Sequence, residues 1–442
     1  MTTSNGVNFT NIIIFVIIGV LVIAALGIFT GAIPINPRSD ESEIIGQISI
    51  WLPENQTHLK KIISEDFKQA NEKINVSLKE IPDEIYEQEI LEALAANNAP
   101  DIWLLSHELV FQHQNKISPI PFSQITQRTY LDTFIDAADI YLKSGDEKNA
   151  GYIIGLPVSV DPLVLYWNKD LFSGAGISQP PKTWDEFLDS SQKLVRTDAS
   201  GNFTQSGAAL GEFKNIQHAK SIISLLILQT GNPIVEKKER KAVLNEKFNA
   251  PLNPAASAFR FFNEFSDSQK ASYSWNFSLA EAQNAFISQK LGMYFGFASE
   301  YEKIIRQNPH LNFDVIEVPQ INGGGIKATY GQMNALVLSK QAAGSLAAWQ
   351  LMTYLISYDV QKKIQDQTGR PSVRRDVLAQ PGSQIQSAAF IGSAVKSRLW
   401  LDPDAKKTSE IFKNTAESMK TGKMNSEEAV QKAKNQLQML LE

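Results

Sequence analysis

The chain has 442 residues, 43% hydrophobic and 20% charged, with a formal net charge of −5 and no cysteine. That length exceeds what one hydrophobic core usually serves, so two lobes are expected. Without cysteine there is no disulfide, thiolate metal site, cysteine nucleophile or lipid-bearing cysteine tether. The absence of any basic tract argues against nucleic acid as a partner.

The first organised stretch is apolar. Ile12 to Phe29 carries no charge, and the run extends to about Ile33. About 20 residues of helix span the roughly 30 Å hydrocarbon layer, so a transmembrane helix over about residues 11–33 is expected. A cleaved signal peptide is the competing reading, with Thr30-Gly31-Ala32 as small residues for a peptidase. The run exceeds the roughly 7–15 residues of a secretory core and no Lys or Arg precedes it, which favours the anchor. Residues 30–45, rich in Pro, Ser and acid, read as a linker.

A β-α-β-α-β order follows. Ile48, Ile50 and Leu52 alternate with polar positions as a strand. After the loop Pro53–Gln56, Thr57 is placed to cap a helix burying Leu59, Ile62, Ile63 and Phe67. Ile74, Val76 and Leu78 form a second strand, Tyr86–Ala96 a helix, and Pro100–Leu105 a buried third strand. This order implies an open α/β sheet, whose ligands sit off the carboxyl ends of the strands. The loops at Pro53–Thr57 and Ser106–Glu108 lie at those ends.

The stretch Gly155–Leu194 combines four signals. Tyr152–Val158 reads as a strand, Asp161-Pro162 as an interruption, and Leu163–Trp167 as a second strand. Asn168-Lys169-Asp170-Leu171-Phe172 turns into an amphipathic segment. Pro180-Pro181 stops the chain, and Thr183 with Glu186 has the spacing of a capping box. Further on, Ser221–Leu228 and Ala255–Phe265 read as helices, and Gly292–Phe297 as a strand. Val315–Pro319 reads as a return crossing and Ala335–Leu338 as a strand. Ser426 to Leu440 reads as a last amphipathic helix. Gly323-Gly324-Gly325 is a flexible turn, because no Lys-Ser/Thr follows to make a phosphate loop.

Taken together, Asp161, Tyr166–Phe172, Pro180–Glu186, Gly292–Phe297 and Gly369-Arg370-Pro371-Ser372 resemble segments of extracellular solute-binding proteins of the maltose-binding type. That resemblance implies an α/β, two-lobe periplasmic-binding-protein fold with three interlobe crossovers, here preceded by a transmembrane helix. The lobes would comprise 46–158 with 321–371, and 159–320 with 372–442; residues 1–45 would be anchor and linker. It further implies capture of a small solute, expected to be a carbohydrate, and delivery to the membrane subunits of an ABC importer. The binding domain would be extracytoplasmic on a single-pass anchor.

Carried over residue by residue, the resemblance names Asn55 and Gln56 after the first strand and Ser106 and Glu108 after the third. It adds Asp161 at the first crossing, whose carboxylate can accept hydroxyl hydrogen bonds strongly. Phe297 ends the Gly292–Phe297 strand, Ser299 and Tyr301 follow it, Gln332 leads a later strand, and Trp400 lies near the end. Trp275, Phe297, Tyr301 and Trp400 are flat partners for the apolar face of a sugar ring, with core packing as the alternative. Asn55 and Gln56 are amides where a well-known sugar site of the family is charged.

Catalytic patterns are missing. The five histidines (His58, His107, His113, His218, His310) are scattered, and neither H-E-x-x-H nor G-x-S-x-G occurs. No metal site and no cofactor is expected. Three alternatives stay open: the same fold binding a peptide or another solute such as a polyamine, a sensor without transport, and a glycan-processing enzyme.

Overall fold

The computed structural model describes residues 44–145, 150–248, 252–324, 326–381 and 387–442. The expected anchor over about residues 11–33 lies outside them, as does almost all of the linker. Among the described residues, no helix is long and apolar enough to cross a membrane.

Strand β1 (Gly46–Pro53) pairs in parallel with β2 (Ile74–Ile81), from Gly46 opposite Ile74 to Pro53 opposite Ile81. On its other side it meets β3 (Ile102–Ser106) at Ile50/Ile102 and Trp51/Trp103. Alternation in β1 turns Ile48, Ile50 and Leu52 inward, and the first four residues of β3 are all buried. The chain then leaves both β1 and β3 at the same edge of the sheet, as parallel strands require. The segment after β1 differs from expectation at its start. A 3-10 turn over Glu54–Gln56 leads into helix 57–70, and Gln56, not Thr57, occupies the capping position, without a side-chain cap bond. Its middle turn, Ile62–Phe67, is π-helical and still buries Ile62, Ile63 and Phe67.

The long strand β4 (Leu156–Asn168) is the spine of the molecule. Asp161-Pro162 does not break it into two strands. Residues from Leu156 to Pro162 pair with β8 (Thr329–Ser339), Pro162 facing Gly331 and Asp161 facing Gln332. From Leu163 onward β4 pairs with β6 (Leu291–Phe297), and from Leu165 also with β7 (Phe313–Ile316). The chain changes partner at Pro162, where a missing N–H interrupts no continuing ladder. In order, the main sheet reads β2-β1-β3-β8-β4-β6-β5, with β5 (Phe203–Ala208) parallel to β6. One half-sheet therefore ends, and the other begins, inside β4.

Val315–Pro319 is not the return crossing. Its first residues belong to β7 on the second half-sheet, and Gln320 still bonds Lys182 there. The chain comes back only between 321 and 329. Helix Tyr358–Thr368 ends on Gly369 at φ 66, a left-handed position that costs glycine nothing, and this sharp stop sets out Arg370.

The capping box over Thr183 is present. Thr183 Oγ1 accepts the Glu186 N–H at 3.3 Å, and Glu186 Oε2 accepts the Thr183 N–H at 3.3 Å. Helix Trp184–Leu194 then buries Trp184, Phe187 and Leu194. Thr183→Ala is expected to cost about 1 kcal/mol of stability, read as a lower urea midpoint at unchanged slope.

Candidate functional site

The loops at the carboxyl ends of β1 and β3 carry four of the expected site residues. Asn55 is exposed, its N–H donates to Asp83 Oδ1 at 3.2 Å, and its own Oδ1 accepts from Gln56 Nε2 at 2.7 Å. Gln56 is buried, and its Oε1 has no partner among the described residues. Ser106 Oγ accepts the Glu108 N–H at 3.4 Å, which caps the short turn His107–Leu109. Neighbouring His107 is wholly buried between Tyr330 Oη, at 3.1 Å, and the Met333 N–H, at 3.3 Å. Burial holds it down at about 4, so it is a neutral structural group.

Glu108 meets a partner 112 residues away. Lys220 Nζ donates to Glu108 Oε1 at 3.1 Å and to Asp402 Oδ2 at 2.5 Å. Thr408 Oγ1 donates to Asp402 Oδ1 at 2.9 Å and lies 3.3 Å from the ammonium. The Lys220 side chain is 10% exposed and that of Asp402 1%. Burial pulls Lys220 down, but the two carboxylates outweigh it and raise its pKa. Burial pushes Glu108 up, but Lys220 outweighs it and holds the carboxyl below its ordinary value. Burial keeps Asp402 raised against the pull of the same ammonium. Lys220 stands in the first turn of Ala219–Leu228, a helix buried on nearly every side, and Trp400 lies beneath it, 5.7 Å from ammonium to ring.

A second group forms where β4 changes partner. Asp161 Oδ1 accepts the Ser299 N–H at 2.9 Å, and Gln332 stands opposite Asp161 in the register. Burial raises the Asp161 pKa, opposed by the Ser299 bonds and the Arg370 guanidinium. Burial and the same Arg370 push His58, behind the β1 loop, down to about 3. The charge of Arg370 is thus felt both at that loop and at the change of partner. Next to Ser299, Glu300 lies 2.7 Å from His218 Nε2 and accepts Tyr294 Oη–H at 2.6 Å and the Phe297 N–H at 2.9 Å. Burial would raise Glu300; these bonds outweigh it and lower its pKa. Phe297 is buried, with its ring edge-to-face on His218 at 4.9 Å.

A cavity of about 280 Å³ lies between the two halves beside Trp400. Asp136 and Asp139 wall one side, Lys237 and Arg398 the other. Lys237 bonds the Asp139 carboxylate, and Arg398 pairs with Asp136 at 2.9 Å. Among the described residues, no Ser, Thr or His lines the cavity.

Residues 63–390, well over half of the chain, match the family model of the bacterial extracellular solute-binding proteins. The chain belongs to that family. A binding protein of Brucella abortus (strain 2308) is 20% identical over 325 residues, 71% of this chain and 72% of its own length. The sn-glycerol-3-phosphate-binding periplasmic protein UgpB of Shigella flexneri is 42% identical over 50 residues, 11% of each chain. In structure, the cyclic alpha-maltosyl-1,6-maltose binding protein of Arthrobacter globiformis superposes with a TM-score of 0.72 at 17% identity. That superposition covers 89% of this chain and 98% of the other, and it shows the two-lobe α/β fold.

Within this solute-binding protein the expected residues divide. Glu108 and Trp400 gather around Lys220, Ser299 and Gln332 stand beside Asp161, and Phe297 packs on His218. Tyr301 is half-buried against Phe313 and Phe390. Trp275 offers no face to a solute: it is 0% exposed in the core, its indole N–H donating to Asn215 Oδ1 at 2.9 Å. Trp400 is buried too, at 3% exposure, stacked on Phe412 at 6.1 Å with the Lys220 ammonium 5.7 Å from its ring centroid. Arg374 is structural, gripping Asp376 and the Ile356 carbonyl. Lys220, Asp402, His218 and Glu300 were not singled out from sequence. Lys220 was visible as a lone cation in the apolar run AKSIISLLIL, a position that demands a partner. Nothing local marks Asp402 as that partner.

The Glu108–Lys220 bond sets a pH dependence. Because the folded Glu108 pKa is lowered, its contribution is complete above the ordinary Glu value of about 4.3 and is lost as pH falls through the folded value. Stability of the wild type should therefore fall more steeply below about pH 4 than that of Glu108→Gln. Urea midpoints at a series of acid pH values check this; parallel acid limbs would refute it.

Proposed function

We propose that the protein captures a small polar solute, a carbohydrate, between its two lobes and delivers it to an ABC importer. The lobes comprise 46–158 with 321–371, and 159–320 with 372–442, joined by three crossovers, the first of them within β4. The apolar run over about residues 11–33 anchors the chain, and the binding domain stands outside the cytoplasm. The observation that carries the reading is Asp161. It sits where β4 passes between half-sheets, one carboxylate oxygen held by the Ser299 N–H and Gln332 alongside. A carboxylate oriented in this way accepts hydroxyl hydrogen bonds with little loss of side-chain freedom. Gln332 and Ser299 supply further polar groups beside it, and the loop amides Asn55 and Gln56 would add contacts from the end of β1.

The relatives' ligands belong to two chemistries, neutral oligosaccharides for the sugar-binding structures and a phosphorylated polyol for UgpB. The carbohydrate reading follows the first. A ligand that binds only the folded protein raises its apparent stability by mass action. Thermal unfolding across a panel of mono- and oligosaccharides, peptides and polyamines tests the class. Stabilisation by a sugar supports the reading, and stabilisation by peptides or polyamines alone replaces it.

A further inference from the structure

We propose that Lys220 is a specificity-determining residue: its ammonium is committed to Glu108 and Asp402, so the cleft accepts a neutral polyhydroxyl solute and rejects one bearing phosphate or carboxylate. The inference rests on the interlobe cleft proposed above and narrows its ligand to a charge class.

Two independent observations carry it. The first is the row Glu108–Lys220–Asp402. The ammonium is 3.1 Å from one carboxylate and 2.5 Å from the other, with the Ala405 carbonyl and Thr408 hydroxyl each at 3.3 Å. No donor capacity is left idle for an incoming anion. An anion could reach Lys220 only by displacing Glu108, which would then face it as a half-buried like charge. Specificity is commonly built this way, by leaving the wrong ligand beside an unpaired or opposing charge. A hydroxyl faces no such obstacle. Lys220 takes Glu108 Oε1, and no bond to Oε2 occurs among the described residues, so a hydroxyl can donate there without breaking the row.

The second observation is that two further cations, on the walls of the cavity beside Trp400, are also opposed. Lys237 is bound to Asp139 and Arg398 to Asp136. Glu300 adds a further carboxylate next to Ser299. A phosphate entering this space would meet a carboxylate already paired at Lys220, at Lys237 and at Arg398.

Glu108→Gln gives a clean test, because Lys220 keeps Asp402 and Thr408 and the fold keeps its buried cation paired. Calorimetric titration of the full chain, wild type and variant, would use maltose and maltotetraose as neutral probes and sn-glycerol 3-phosphate and glucose 6-phosphate as anionic ones. The wild type is expected to bind a neutral probe at least tenfold more tightly than either phosphate. Glu108→Gln is expected to gain at least tenfold for a phosphate. Wild-type binding of a phosphate as tight as that of a neutral probe, or a phosphate affinity that Glu108→Gln leaves unchanged, would overturn the inference. If no neutral probe binds while Glu108→Gln gains phosphate affinity, the role of Lys220 stands and the carbohydrate reading falls.

Discussion

Replacing Lys220 with methionine is expected to destabilise the fold by about 3 kcal/mol, the scale for removing one partner of a buried ion pair. Methionine fills a similar volume, so lost packing contributes little. The cost comes from the carboxylates left behind. Asp402 is almost fully enclosed, and its remaining support is Thr408 and the Asp404 N–H. It can relieve the cost by taking up a proton, since burial already raises its pKa. The sign follows. In Lys220→Met the folded Asp402 binds its proton more readily than the unfolded one, so the variant loses stability as pH rises through that range. The penalty should therefore shrink on acidification from pH 7 towards pH 5. Chemical denaturation at both pH values measures it; a penalty below about 1 kcal/mol at pH 7 would mean that the row is no more than a surface contact.

Asp161→Ala should lower solute affinity about a hundredfold, the loss expected for one or two hydrogen bonds to a charged acceptor. The fold should tolerate the change better than the site does. Ser299 loses one acceptor for its N–H, but β4 keeps its pairing with β6 and β8 on either side of the position. Isothermal titration and thermal unfolding together separate the two effects. An affinity within threefold of wild type would remove Asp161 from the ligand.

The parts legible in the sequence were those written locally. Thr183 and Glu186 lie three residues apart and formed the predicted box, because a cap needs only its own turn. The open α/β sheet begun by β1, β2 and β3 followed from the alternation of strands with helices along the chain. Asp161-Pro162 was misleading for the same reason. Asp and Pro are strong turn residues, yet here the strand continues because Gly331 and Gln332 arrive from 170 positions away to pair with it. Trp275 shows the limit for aromatics: sequence cannot tell a ring bound for a cleft from one whose N–H meets a buried Asn215. Lys220 was the opposite case. Its need for a counter-ion was readable from the apolar helix around it, but Asp402 and Glu108 come from segments that only the fold brings together.

Solute capture at Asp161 is tested most directly by calorimetric titration of a carbohydrate panel into the wild type and Asp161→Ala. The prediction is one-to-one binding of at least one neutral sugar by the wild type, without turnover, weakened about a hundredfold in the variant. Sugar binding that Asp161→Ala leaves intact, or hydrolysis of the bound glycan by the wild type, would contradict it.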